Sequence, residues 1–153
     1  MNKLKIYMDN CCLARPFDNQ SDIEIYMETQ AKMIIQSLVK FNSIELVYSS
    51  MTILELKECP LDDVRNSIFD FIEKNTKHYL DMDKNKAVTA LTIDINKTGV
   101  RLKDASHAAC AIVSECDYLI TTDKRLLKYQ DSRIKMINPI DFVKMWRSDY
   151  NVL

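Results

Sequence analysis

The feature that most constrains this chain is the alternation of short apolar runs with longer stretches whose apolar residues recur at helical spacing. Residues 4–8 form one such run, closing on Asp9, and residues 44–48, 118–121 and 134–137 repeat the pattern. A short apolar run bounded by polar residues reads as a buried strand. After the first run, Ile23, Met27, Ala31, Ile34, Leu38 and Phe41 fall on one face of a long predicted helix. A second helical stretch carries Glu55 and stops near Pro60, whose ring cannot continue it. Asp62 and Asp63 open a third, with Val64, Ile68, Phe71 and Ile72 at helical spacing. Residues 84–98 form a fourth around Val88, Leu91 and Ile95, with Gly99 placed to end it. A fifth begins close to Asp104 and shows Ala105, Ala108, Ala109, Ile112 and Cys116 on a face rich in small side chains. Residues 124–129 and 141–146 read as short helices.

Strands alternating with helices predict an α/β fold whose parallel sheet is covered on both faces. Ligands of such sheets bind beyond the carboxyl ends of the strands, where strand order reverses. Asp9 and Asp123 fall at such ends, and Glu55 and Asp104 lie on helices able to face the same rim. Four carboxylates gathered without matching cations repel one another, so a fold that collects them binds a divalent metal. Hard oxygen ligands suit Mg²⁺ or Mn²⁺, which polarise a phosphodiester and activate water.

Composition narrows the alternatives. At 153 residues the chain is expected to form one domain, residues 1–153. Its 47% apolar and 28% charged residues are those of a globular protein rather than a disordered one. No stretch approaches the ~20 apolar residues of a membrane span, and the first residues lack a signal-like run, so the expectation is a cytoplasmic protein without a membrane partner. A single glycine, Gly99, excludes the glycine-rich loops that cradle nucleotide phosphates. Five cysteines without a C-x-x-C pair point to neither a disulfide framework nor a zinc site, and Cys11 and Cys12 read as small buried hydrophobes rather than nucleophiles. The net charge of −1 gives no global attraction for nucleic acid, so phosphate binding needs a local patch. Arg15, Arg101, Lys103, Lys124, Arg125 and Lys128 lie near the acids and are candidates for it. Phe17 and Tyr118 can stack on a base or join the core.

With 22 acids in the chain, spacing alone does not select four. Local pattern does. Ile6-Tyr7-Met8-Asp9-Asn10, Ser50-Met51-Thr52-Ile53-Leu54-Glu55, Lys103-Asp104-Ala105-Ser106-His107-Ala108 and Leu119-Ile120-Thr121-Thr122-Asp123-Lys124-Arg125-Leu126-Leu127 resemble, in order, the four acidic motifs of the PIN-domain family. The resemblance spans nearly the whole chain. It implies a Rossmann-like three-layer α/β/α fold with a mainly parallel central sheet, and metal-dependent cleavage of phosphodiesters, usually in RNA, leaving a 5′-phosphate and a 3′-hydroxyl. It further implies that Asp9, Glu55, Asp104 and Asp123 are the catalytic and metal-site acids, holding Mg²⁺ or Mn²⁺, with Thr121 or Thr122 as a hydroxyl neighbour. Many small bacterial members are toxins of toxin-antitoxin pairs, so the candidate partners are RNA, an antitoxin protein and a second copy of the chain. After the first acid, Asn10-Cys11-Cys12 replaces the family's usual Thr or Ser followed by Asn, which removes the hydroxyl expected at position 10.

Each acid has a structural rival. Asp9 and Asp104 can serve as helix caps, Asp123 as a turn residue with Asp117 its substitute, and Glu55 as a surface residue with Glu58 its substitute. His107, one turn from Asp104, reads as structural more readily than as a general base. Asp62, Asp63, Asp81 and Asp83 are expected outside the site. The rival function is a PIN-like module that binds protein or RNA without cutting. A phosphatase with Asp9 as nucleophile is disfavoured because residues 9–11 lack a D-x-D arrangement.

Overall fold

The computed structural model describes residues 3–150. Strands β1 (Lys5–Met8), β2 (Glu45–Ser49), β3 (His78–Leu80), β4 (Tyr118–Ile120) and β5 (Lys135–Ile137) form one sheet in the order β3-β2-β1-β4-β5. Every pairing is parallel. The chain therefore starts in the middle of the sheet, builds outward through β2 and β3, and returns to the other side of β1 for β4 and β5. Strand order reverses at β1, and its carboxyl end is the crevice that such folds use for ligands.

The helices are α1 (Asn10–Leu13), α2 (Ile23–Lys40), α3 (Ser50–Lys57), α4 (Asp62–Asn75), α5 (Lys86–Lys97), α6 (Leu102–Val113), α7 (Lys124–Leu127) and α8 (Pro139–Asp149). Strand side chains alternate between the faces. Ile6, Met8, Leu46, Ile120 and Ile137 pack with residues of α2, α4 and α8, including Ile35, Ile72 and Phe142. Tyr7, Val47, Leu119 and Met136 pack with Val88 and Ile95 of α5 and the buried alanines of α6. The result is three layers, α/β/α. Ala105, Ala108 and Ala109 are fully buried, and their small side chains let α6 lie close to the sheet. Gly99 takes a φ of +103° just past α5, a conformation that ends a helix and suits glycine.

Two expectations from sequence need correction. Residues 78–80 form a strand that periodicity does not reveal, because β3 is a three-residue edge strand whose central Tyr79 is half exposed. The predicted inner face of α2 is largely its outer face. Ile23, Met27, Ile34 and Phe41 are exposed, while Glu28, Thr29, Ala31, Lys32, Ile35 and Val39 are buried. Polar side chains can turn inward here because partners meet them. Glu28 accepts from Arg15 Nε and Nη2 at 2.9 and 2.7 Å and from Asn138 Nδ2 at 2.5 Å. Lys32 donates to Gln36 at 2.6 Å, and its ammonium lies 5.5 Å from the Phe71 ring centre.

Glu28, only 1% exposed, thus ties the 3₁₀ turn at Arg15–Phe17 to α2 and to Asn138, which caps α8. Removing one partner from a buried charged network leaves the others unpaired, at a cost of about 3–5 kcal/mol. Glu28→Ala is expected to lower unfolding free energy in urea by about that much. Asp70→Ala, which breaks the exposed pair with Lys74, should change it by under ~1 kcal/mol.

Candidate metal centre

Asp9 follows β1 directly and is 2% exposed. Its Oδ1 accepts the Cys12 backbone N–H at 3.1 Å, which caps α1, and its Oδ2 accepts the Thr121 hydroxyl at 2.6 Å. Thr121 Oγ1 in turn accepts the Asp123 N–H at 3.0 Å. One hydroxyl therefore locks the carboxyl ends of β1 and β4 together, and it belongs to Thr121, one of the two threonines that the family resemblance singles out. Asp123 caps α7 through Oδ1, which accepts the Arg125 N–H at 2.8 Å, and presents Oδ2 to Arg101 at 2.6 Å. In both residues a backbone N–H on one oxygen orients the carboxylate and leaves the other oxygen to a side-chain partner.

Asp104 is not a cap. Arg101 holds that position of α6, and Asp104 lies in the first turn, 8% exposed, accepting Arg101 Nε at 3.1 Å. Arg101, proposed from sequence as a phosphate contact, is thus bonded to two of the acids. Glu55 on α3 accepts His107 Nε2 at 2.7 Å. His107 is 1% exposed, and its Nδ1 lies 2.6 Å from the hydroxyl of Tyr7, which also meets Ser49 Oγ at 2.7 Å and Thr52 Oγ1 at 3.2 Å. Burial holds the Tyr7 phenol well above its ordinary range, so it remains an O–H. Because the Glu55 carboxylate accepts, Nε2–H donates to it, Nδ1 is left to accept the Tyr7 proton, and the Ser49 and Thr52 hydroxyls are placed to donate to the phenol oxygen. His107 positions Glu55 rather than pairing with Asp104 one turn away. Periodicity marks Tyr7, Ser49 and Thr52 only as strand and helix-start residues, so this hydroxyl cluster was invisible in the sequence.

Cys12 is buried as expected, but Cys11 is exposed rather than a buried hydrophobe; partial desolvation and then Asp9, Asp123, Glu55 and Asp104 push its thiol up to about 12, which disfavours the thiolate a nucleophile requires. The substitutes lie elsewhere. Glu58 pairs with Lys103 on the surface, and Asp117 accepts the Lys5 N–H at the opposite, amino end of the sheet. Asp62 binds Arg65 at the start of α4, and Asp81 caps the turn at Met82–Lys84 with Asp83 exposed beside it.

The donor chemistry fits a hard divalent cation: carboxylate oxygens, plus the buried Asn10 Oδ1 beside Asp9, which has no hydrogen-bond partner among the described residues. The Asn10 amide nitrogen donates to the Thr52 carbonyl at 3.1 Å. As arranged, Asp104 and Asp123 gather around Arg101, and among the described residues no three His, Cys, Asp or Glu side chains are spaced around one ion.

Beside Asp104 opens a groove of about 460 Å³, lined by Arg101, Arg125, Lys128 and Tyr129 among others. Three of the predicted basic residues share it. Arg15 binds Glu28 and Asp18, Lys103 binds Glu58, and Lys124 lies 3.6 Å from Glu24. Tyr118 packs edge-on against Phe142, a core role, while Phe17 is half exposed. A larger hollow of about 830 Å³ sits around Asp117, Arg133 and Lys135 at the amino ends of the strands and holds none of the four acids. No described helix is long and apolar enough to cross a membrane.

Burial raises the Asp9 carboxyl from 3.8 to about 6, with Asp104 adding to the rise and His107, Thr121 and the Cys12 N–H opposing it. The folded state then holds this proton more tightly than the unfolded chain, so its contribution to stability grows as pH falls through about 6 and levels off below the unfolded value near 4. Ionised Asp9 costs roughly 3 kcal/mol. Without metal, Asp9→Asn is expected to melt above the wild type at pH 8, with the difference shrinking by pH 4.5. A difference independent of pH contradicts the burial penalty.

No family model matches the sequence, and no curated protein does. Among solved structures, the crystal structure of VapBC2 from Rickettsia felis bound to a DNA fragment from their promoter is similar, with a TM-score of 0.56. Identity is 16%, over 87% of this chain and 98% of that one. At that identity the likeness is one of fold, and with the five-stranded parallel sheet between two helical layers it shows that the chain adopts a PIN-like α/β/α fold.

Proposed function

We propose that the chain is an endoribonuclease in which Asp9, Glu55, Asp104 and Asp123 hold Mg²⁺ or Mn²⁺. What supports the reading most is the linkage at the strand-order reversal, where Thr121 joins Asp9 to the Asp123 backbone and Arg101 joins Asp123 to Asp104, beside a groove lined by Arg101, Arg125 and Lys128. A divalent ion bound there supplies a Lewis acid for the phosphodiester and lowers the pKa of water toward neutrality. The chain's own residues provide the setting. Thr121 and the Cys12 N–H fix Asp9, the Arg125 N–H fixes Asp123, and His107 fixes Glu55. The basic groove holds backbone phosphates, which positions RNA without reading its sequence. Hydrolysis at the 3′-oxygen leaves a 5′-phosphate and a 3′-hydroxyl.

The toxin reading rests on the fold shared with the VapBC2 complex and on the apolar stripe that α2 leaves exposed, with Ile23 71% and Phe41 81% accessible. Such a stripe suits a protein partner, either an antitoxin or a second copy. Light scattering of the purified chain separates these: a dimer that Ile34→Asp breaks assigns the stripe to self-association, and a monomer leaves it to an antitoxin.

Incubation with single-stranded and structured RNA tests the activity. Cleavage is expected with Mn²⁺ or Mg²⁺, and chelator should stop it. Asp9→Asn and Asp104→Asn should each remove most of it while leaving the circular dichroism spectrum near that of the wild type. Cleavage that survives chelator overturns the metal mechanism. A wild type that binds RNA and cuts nothing favours the binding module.

A further inference from the structure

Asp104 and Asp123 have one arginine or lysine partner among the described residues, and it is the same one. Arg101 Nη2 lies 3.1 Å from Asp104 Oδ2 and 2.6 Å from Asp123 Oδ2, and Nε donates to the same oxygen of Asp104 at 3.1 Å. The remaining basic residues nearby are engaged elsewhere or face the groove: Lys103 with Glu58, Lys124 toward Glu24, Arg125 and Lys128 along the groove wall. Among the described residues Asp9 has no cationic partner in contact, and Glu55 has His107. The guanidinium keeps its charge at every working pH, so this pairing does not switch with protons.

The two ends of the arrangement differ in freedom. The carboxylates are held, with 12% and 15% of their side chains exposed, whereas 56% of the Arg101 side chain is in solvent. Arg101 also stands at the start of α6, outside the helical turns, so its side chain can swing without disturbing the helix. A divalent ion taking Asp104 Oδ2 and Asp123 Oδ2 would use the lone pairs that the guanidinium now occupies and would repel its charge. The two cations therefore compete for those oxygens. A displaced Arg101 remains tethered where the groove shared with Arg125 and Lys128 begins, and a guanidinium there meets a phosphate in bidentate fashion.

The geometry points to Arg101 as an internal counter-ion that a divalent metal displaces from Asp104 and Asp123, and that then clasps a phosphate of the nucleic-acid substrate. This rests on the metal-dependent nuclease reading and adds a property to it. Metal and phosphate favour each other's binding, because each draws Arg101 into the arrangement the other needs, and such coupling is reciprocal.

The test is Mn²⁺ binding to the whole protein, followed by electron paramagnetic resonance of free Mn²⁺, for the wild type, Arg101→Ala and Arg101→Lys. Arg101→Gln stands in if the alanine variant folds poorly. Without the competing cation, Arg101→Ala is expected to bind Mn²⁺ about three- to tenfold more tightly, a gain within the range of weakly exposed charge pairs. Arg101→Lys should fall between. In RNA cleavage the alanine variant should show the opposite effect, a raised KM with a smaller change in kcat. Equal Mn²⁺ affinity in wild type and Arg101→Ala overturns the displacement while leaving the nuclease reading intact. Mn²⁺ binding by neither overturns the metal site and this inference with it. Tighter Mn²⁺ binding with an unchanged KM overturns the phosphate clasp.

Discussion

Asp9 loses almost all contact with water at the end of the central strand, and moving a carboxylate out of water is costly unless polar partners offset it. Two partners do so: the Cys12 N–H, made available because the chain turns into α1, and the Thr121 hydroxyl, made available because β4 lies beside β1. The local turn and the strand order are therefore needed by the same side chain. Thr121 passes the constraint on to Asp123 through its backbone N–H, so the second acid is placed by the group that satisfies the first. Even so, burial leaves the Asp9 carboxyl raised to about 6, an unrelieved cost that a bound cation would remove.

The other two acids of the proposed site stand on helices, and each meets a cationic or donor partner there. Asp104 enters on α6, whose alanine face lets the helix approach the sheet closely, and meets Arg101 from its own helix start. Glu55 enters on α3 and is met by His107, also of α6, whose other nitrogen is fixed by Tyr7 from β1. The buried line from Ser49 and Thr52 through Tyr7 and His107 to Glu55 connects β2, α3, β1 and α6. A repacking of any one of them would move a carboxylate.

Much of this was legible in the sequence because short-range patterns carried it. Apolar runs ending in Asp9 and in Thr122-Asp123 located the carboxyl ends of β1 and β4, and the small residues after Asp104 marked the close-packed helix. What stayed hidden depends on partners distant in the chain. The buried face of α2 was misassigned because Glu28 and Lys32 read as solvent-facing until Arg15, Asn138 and Gln36 are known to meet them. Strand β3 is too short and too exposed at Tyr79 to show a period. Arg101 was visible as a basic residue near an acid, but its bond to Asp123 spans 22 positions and requires the fold. His107 was read as structural, and its hydrogen-bond partners are Tyr7 and Glu55 rather than its helical neighbour Asp104.

The central claim is that Asp9, Glu55, Asp104 and Asp123 form one site for a divalent cation. Anomalous diffraction from crystals of the protein grown with Mn²⁺ tests it most directly, because the ion is located by its own scattering. A strong anomalous peak is expected among these four carboxylates, with Asp9 and Asp104 oxygens within about 2.0–2.4 Å. A well-ordered site with no peak there, or a peak bound only by other residues, would contradict it.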